Sequence, residues 1–267
     1  MKMLIPLSLV LAVIAFTPPK YAWAQDNADV DPAAPPAPEE EERPRVDQER
    51  IAELTALILD KPFEQKNYRL RAIEFAKGQA WAEAAADYQK LVEINPAKSQ
   101  LWQQAASFLV LAEDDQKYKT FCTKMLERFG ASEDQGDLER TPKVCTLAPR
   151  PVGDLDKLMK LAEAAVEAVE ASDRTYWMPY HHRTVALVHY RRKEYAQTLV
   201  AIEKSDRLNL EFDERRFPDI EISNRALEAM CLLRRGNLEE GAVMLTKVTP
   251  LMKEKMADLE EFYAEAV

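Results

Sequence analysis

Residues 77–96, KGQAWAEAAADYQKLVEINP, decide the fold. Gly78 breaks the helical pattern that precedes it. Trp81, Ala84, Tyr88 and Leu91 then follow at spacings of three and four, so they share one helical face. Pro96 after Asn95 closes the helix, because proline offers no N–H and turns the residue before it away from helical angles. Ala84 is small enough for a neighbouring helix to come close, while Trp81 and Tyr88 fill the space around it. A helix this short, with turns at both ends, has little stability alone and needs neighbours for its apolar stripe.

The flanking sequence supplies them. Asp47 is placed to cap a helix whose stripe is Ile51, Leu54, Leu57 and Ile58, and Lys61-Pro62 ends it. A second helix runs from about Glu64 to Lys77 with Tyr68, Ala72 and Phe75 inward, and pairs with the Trp81–Ile94 helix. Thirty-four residues after Tyr68, Ala72 and Phe75 stand Trp102, Ala106 and Leu109. A fixed interval of that length marks an internal repeat of helix pairs.

In Trp81, Ala84, Tyr88 and Pro96 the unit resembles the tetratricopeptide repeat, with its aromatic, small, aromatic and terminal proline positions. It is one residue longer than that family between Gly78 and Trp81, and carries Arg71-Ala72 where the family has Leu-Gly. In the next unit Trp102 and Ala106 match, but Tyr118 replaces a small residue and Gly130 the proline. Residues 118–149, YKTFCTKMLERFGASEDQGDLERTPKVCTLAP, resemble the helical-repeat tails of large bacterial serine/threonine kinase and WD40-repeat proteins. The likeness lies in the cysteine before LERFG and in the run from Glu139 to Cys145. The kinase and propeller parts are absent, so no activity is carried over. Pro142 departs from that pattern and is expected to shorten the helix around Cys145.

Asp154 to Ala171 is amphipathic, with Leu155, Leu158, Met159, Ala162, Ala165, Val166 and Val169 on one face. Tyr176 to Tyr190 and Glu194 to about Leu208 read as the next pair, with Lys193 where glycine and Thr198 where alanine are usual. Asn209 to Pro218 is a charged insertion that breaks the period. Ile222 to Arg235 and Leu238 to Val248 form a further pair, turned at Gly236 and closely packed at Gly241. Leu251 to Val267 reads as a capping helix. The expectation is an all-α solenoid of about ten helices over residues 47–267: tetratricopeptide-like antiparallel pairs with a C-terminal cap.

Only 6 of the 267 residues are glycine, and 36 basic residues face 46 acidic ones, a formal net charge of −10. That balance argues against nucleic acid, which requires a basic footprint. Residues 1–24 read as a signal peptide: Lys2, the apolar run Met3 to Phe16, and Ala22-Trp23-Ala24 as cleavage pattern. The alternative, an uncleaved anchor, is disfavoured by a run short of the roughly 20 residues a span requires. Residues 25–46, with Pro32, Pro35, Pro36, Pro38 and Pro44 and the acidic run Glu39 to Glu42, read as a disordered linker. The chain is thus expected to be exported to a bacterial periplasm or cell envelope, or beyond the cell, with no membrane span after cleavage. Of three cysteines, Cys122 and Cys145 fall on neighbouring helices and are the candidate disulfide; the alternative is that Cys122, Cys145 and Cys231 are simply small buried side chains.

No phosphate-binding glycine loop, His-Glu-x-x-His, Cys-x-x-Cys or nucleophile elbow is present. His181, His182 and His189 lack a third ligand at metal-binding spacing. Neither enzyme activity nor a cofactor or metal is expected. What remains is shape. The first helix of each pair should line a concave face, to which the repeat phase assigns Lys66, Arg69, Lys77, Gln103, Ser107, Tyr180, Arg183, Tyr190 and Arg191. Basic and aromatic groups there imply binding of a protein or peptide, acidic or C-terminal. The Glu39–Glu42 run is a candidate occupant in cis. The alternative function is a periplasmic holdase or envelope-assembly helper for unfolded clients, which larger exposed apolar patches would favour.

Overall fold

The computed structural model describes residues 46–211 and 217–265. Among them are eleven α-helices and no strand: α1 (Gln48–Asp60), α2 (Gln65–Lys77), α3 (Trp81–Ile94), α4 (Ser99–Leu111), α5 (Asp115–Phe129), α6 (Gln135–Thr146), α7 (Leu155–Glu170), α8 (Met178–Arg191), α9 (Tyr195–Glu211), α10 (Pro218–Arg234) and α11 (Leu238–Glu265). A single 3-10 turn, Thr175–Trp177, leads into α8. The expected signal peptide and nearly all of the linker, the Glu39–Glu42 run included, lie outside the described residues.

Several helices start where the sequence provides an acceptor for the first free N–H groups. The carboxylates of Asp47, Asp114, Asp134 and Asp154 accept from backbone N–H groups in the first turns of α1, α5, α6 and α7. The ends repeat as well. Gln79, Glu113, Lys193 and Gly236 all have positive φ, at 56°, 54°, 63° and 88°. After each, the next N–H returns to a carbonyl five residues earlier: Ala80 to Phe75, Asp114 to Leu109, Glu194 to His189 and Asn237 to Leu232. This left-handed cap stops one helix and aims the chain straight into its partner. Gly78 serves differently: at φ −87° it caps α2, and a Cβ there would sit 2.1 Å from Val46 Cγ2. Its lack of a side chain admits the strand of chain entering α1.

The 34-residue interval is visible in the hydrogen bonds. The Tyr68 hydroxyl donates to Pro62 O at 3.1 Å, and thirty-four residues on the Trp102 indole donates to Pro96 O at 3.0 Å. Consecutive helices pack as antiparallel neighbours throughout, and α4 on α6, α6 on α8 and α8 on α10 also pack directly. Among the described residues no second helix packs comparably on the next second helix. The even-numbered layer is therefore the inside of the bend and the odd-numbered layer the splayed outside, the arrangement of an all-α solenoid. A continuous apolar core runs from Ile58 to Val188, centred on Leu91, Leu101, Phe108 and Met125, and smaller clusters follow around Leu227, Ile220 and Val248.

Three boundaries differ from the sequence reading. Pro142 does not shorten α6; the helix runs through it to Thr146. The end of the helix is held from outside, since Arg191 donates through Nε and Nη2 to the carbonyls of Thr146 and Leu147, which have no partner further along the helix, at 2.7 and 2.6 Å. Residue 209 belongs to α9 rather than to the insertion. The buried Asn209 amide donates to Phe217 O and accepts from Phe217 N, clamping the two sides of residues 212–216 together. The final pair helix and the cap are one helix, Leu238–Glu265, with Pro250 inside it. Thr246 and Thr249 donate back to Ala242 O and Leu245 O beside that proline.

Candidate functional site

The inner layer holds most of the buried charge. On α6, Lys143 Nζ donates to both Glu139 oxygens at 2.7 and 2.9 Å, and both residues are buried. Their i,i+4 spacing puts them on one face of α6, and Thr184 of α8 donates to Glu139 Oε1 at 2.8 Å. Burial opposes the Glu139 charge, but Lys143, His181 and Arg140 outweigh it and hold the carboxyl at about 2. Burial also pushes the Lys143 ammonium down to about 8 despite its partner. We take the pair as ionised at neutral pH, because both hydrogen bonds and Thr184 stabilise the charged carboxylate.

One turn away, Tyr180 donates to Asp219 of α10, and burial followed by the Asp219 charge holds its phenol far above the ordinary value. Arg183 lies over the Tyr180 ring with its central carbon 5.3 Å from the centroid, and its Nη1 donates to Ser223 Oγ at 3.2 Å. Its Nη2 is buried without a hydrogen-bond partner. His181 meets Trp177 O through Nδ1 at 2.8 Å, and Trp177 stacks on Phe217 at 6.1 Å between centroids. Arg140 reaches Ser99 of α4 at 3.2 Å. These bonds tie α4, α6, α8 and α10 into one wall.

The residues assigned to the concave face therefore divide. Gln103, Ser107, Tyr180, Arg183 and Tyr190 are buried, and Arg191 is committed to the end of α6. Tyr190 faces Tyr195, with ring centroids 5.8 Å apart, and carries the Arg191 guanidinium over its ring. Lys66, Arg69 and Lys77 are different. Lys66 is exposed, Lys77 is half-buried beside Glu74 at 3.0 Å, and the half-buried Arg69 has a buried Nε without a hydrogen bond. They belong to α2, and α2 does not pack on α4 as the other inner helices pack on one another. The inner layer is thus closed from α4 to α10 and open at its α2 end.

Sequence reasoning missed the ties that close it. The Glu139–Lys143 spacing was legible, but nothing local said that Thr184 would lie over it. Likewise Arg71, noticed only as an odd residue in the repeat, forks across to Asp87 at 2.6 and 2.9 Å and reaches Thr55 at 2.9 Å, joining α1, α2 and α3. Cys122, Cys145 and Cys231 are buried thiols. Among the described residues no group of His, Cys, Asp or Glu is arranged to hold a metal ion, and no helix is long and apolar enough to cross a membrane.

Bonds and left-handed turns recurring in stacked helix pairs define the class: a repeat-like all-α solenoid, compatible with a tetratricopeptide-like fold. Compared with known protein families and with curated proteins, the chain matches none.

Proposed function

We propose that this chain is a tetratricopeptide-type interaction scaffold of the cell envelope, exported by its N-terminal segment, that binds an acidic peptide or protein segment and catalyses nothing. The single observation that supports this most is the α2 end of the inner layer. There Lys66, Arg69 and Lys77 line a helix that lacks the inner neighbour its successors have, and Arg69 keeps a donor without a partner. A carboxylate-bearing segment laid along α2 would supply the missing acceptor and gain charge-assisted bonds in a partly desolvated place. Gln103, Tyr180, Arg183, Tyr190 and Arg191 hold the rest of that face together.

The test is fluorescence anisotropy of a labelled Glu-rich peptide with the full chain. Binding should weaken about tenfold or more on Arg69→Glu and fall with added salt. Equal affinity for wild type and Arg69→Glu would refute the reading. One observation favours the holdase instead. Leu59 and Phe63, at the end of α1, are 80% and 78% exposed, with Leu57 at 44% beside them. A holdase would suppress aggregation of an unfolded client through these residues, regardless of Arg69.

A further inference from the structure

We propose that Cys122 and Cys145 form a disulfide by exchange with a disulfide oxidant while the chain folds, and that the finished fold then seals the pair against further exchange. This does not rest on the peptide-binding reading. Cys122 stands in the middle of α5 and Cys145 near the end of α6, and neither has any exposed surface. Cys145 Sγ lies 3.9 Å from Cys122 O, and Cys122 Sγ lies 3.8 Å from Val144 O, the carbonyl next to Cys145. Each sulfur therefore sits against the backbone of the other cysteine's helix at that cysteine or the residue beside it, which brings the two side chains close enough to be candidates for a bridge. The register is held by Tyr118, which donates to Val144 O and accepts from Ala148 N at 3.2 Å, on either side of Cys145. Cys231 belongs to a separate cluster, with Tyr190, Ala201 and Leu227. Of the pairings that three cysteines allow, one is in contact.

The exchange proceeds in two steps. A thiolate from one cysteine attacks a sulfur of the oxidant, whose other sulfur leaves as a thiolate, giving a mixed disulfide. The second cysteine, losing its proton, attacks its partner's sulfur and expels the remaining oxidant sulfur. The protein gives up two protons and two electrons, and the oxidant disulfide becomes two thiols. Both steps need a thiolate and access. The folded chain denies access, and the Cys122 side chain beside it together with burial holds Cys145 as a thiol. Exchange is therefore confined to the time before α5 and α6 close. Once made, the bridge is equally shielded from reductants.

The experiment compares two routes with the full chain. Fully reduced, denatured protein is refolded in a mixture of oxidised and reduced glutathione. Reduced protein that is already folded is placed in the same mixture. Thiols are then counted after denaturation, and the bridge is mapped by proteolysis and mass spectrometry. The first route should leave one thiol per chain, at Cys231, with Cys122 joined to Cys145, and the second should leave all three. Cys231→Ala should change neither outcome at the pair. Three thiols after oxidative refolding, or a bridge to Cys231, would overturn the pairing. Oxidation of the folded protein as fast as of the denatured protein would overturn the sealing.

Discussion

The α2–α3 pair and the α4–α5 pair meet the same requirement with different residues. In the first, Ala84 stands five residues after the left-handed Gln79 and is fully buried where the helices approach. Trp81 and Tyr88 close around it onto Phe108 of α4, with centroids 6.3 and 5.3 Å away. In the second, the residue five after Glu113 is Tyr118, and its ring is equally buried. A ring there keeps α5 from nesting on α4 as α3 does on α2, and the hydroxyl is carried outward to the end of α6. Thr198 and Gly241 hold the same station after Lys193 and Gly236; a Cβ on Gly241 would lie 2.7 Å from Leu233 Cγ. A small residue at this station binds a pair to itself. A large polar one ties the pair to its successor, and the irregular unit is held by bonds that cross between pairs.

The contrast can be broken from either side. Tyr118→Ala removes a buried ring and both cross-pair bonds, and should cost about 3–5 kcal/mol in urea unfolding. Ala84→Tyr should overpack the regular pair, which has no outlet for a ring, at about 1–3 kcal/mol. If instead the two substitutions cost little and the helices simply repack, the station has no such meaning. Between these falls Arg71→Met, which strands the Asp87 carboxylate between α2 and α3; burial already keeps that carboxyl above its ordinary value even with Arg71 on it. The loss should be about 3 kcal/mol by the same measurement, recovered in large part by Asp87→Leu on the same background.

Acid should sharpen the comparison, because buried titratable groups are concentrated in α6 and α8. Burial, with Lys204 next in importance, lowers His182 from 6.5 to about 4. Between those values the unfolded chain takes up a proton that the folded chain refuses. Stability from this group is complete above pH 6.5 and drains away as pH falls towards 4. Native-state amide exchange, corrected for its intrinsic pH dependence, should show α8 losing protection over that interval while α2 and α3 keep theirs, and His182→Asn should flatten the α8 curve. Glu139 departs later: its contribution stands above pH 4.5 and is lost towards pH 2.

The smallest expected effect is a gain. Gln79, Glu113 and Lys193 occupy left-handed turns that glycine enters without steric cost, and Lys193→Gly should raise stability by up to about 1 kcal/mol. The same change at Gln79 and Glu113 should add similar amounts, read as rising thermal midpoints. A loss at all three would mean that the unfolded-state entropy of glycine outweighs the strain.

Much of the architecture was legible because it is written in local spacing. Tyr68 and Trp102, thirty-four residues apart, make the same hydrogen bond, and Gln79 and Glu113 make the same turn. The candidate site was legible only in part. Phase placed Lys66, Arg69 and Arg183 on first helices, but not the contacts that bury Arg183 and leave Lys66 in solvent. Pro142 predicts a shortened helix and the Val248–Leu251 junction a separate cap, because proline breaks isolated helices, yet α6 runs through Pro142 and α11 through Pro250.

The sequence by itself determined the helices, their caps and the order of the pairs, since each follows from residues within a turn or two of one another. Which face of the stack is closed and which is open was decided only in three dimensions. That outcome depends on bonds such as Thr184 to Glu139 and Arg191 to Thr146, between residues some 45 positions apart, and no local pattern records whether a side chain will find such a partner.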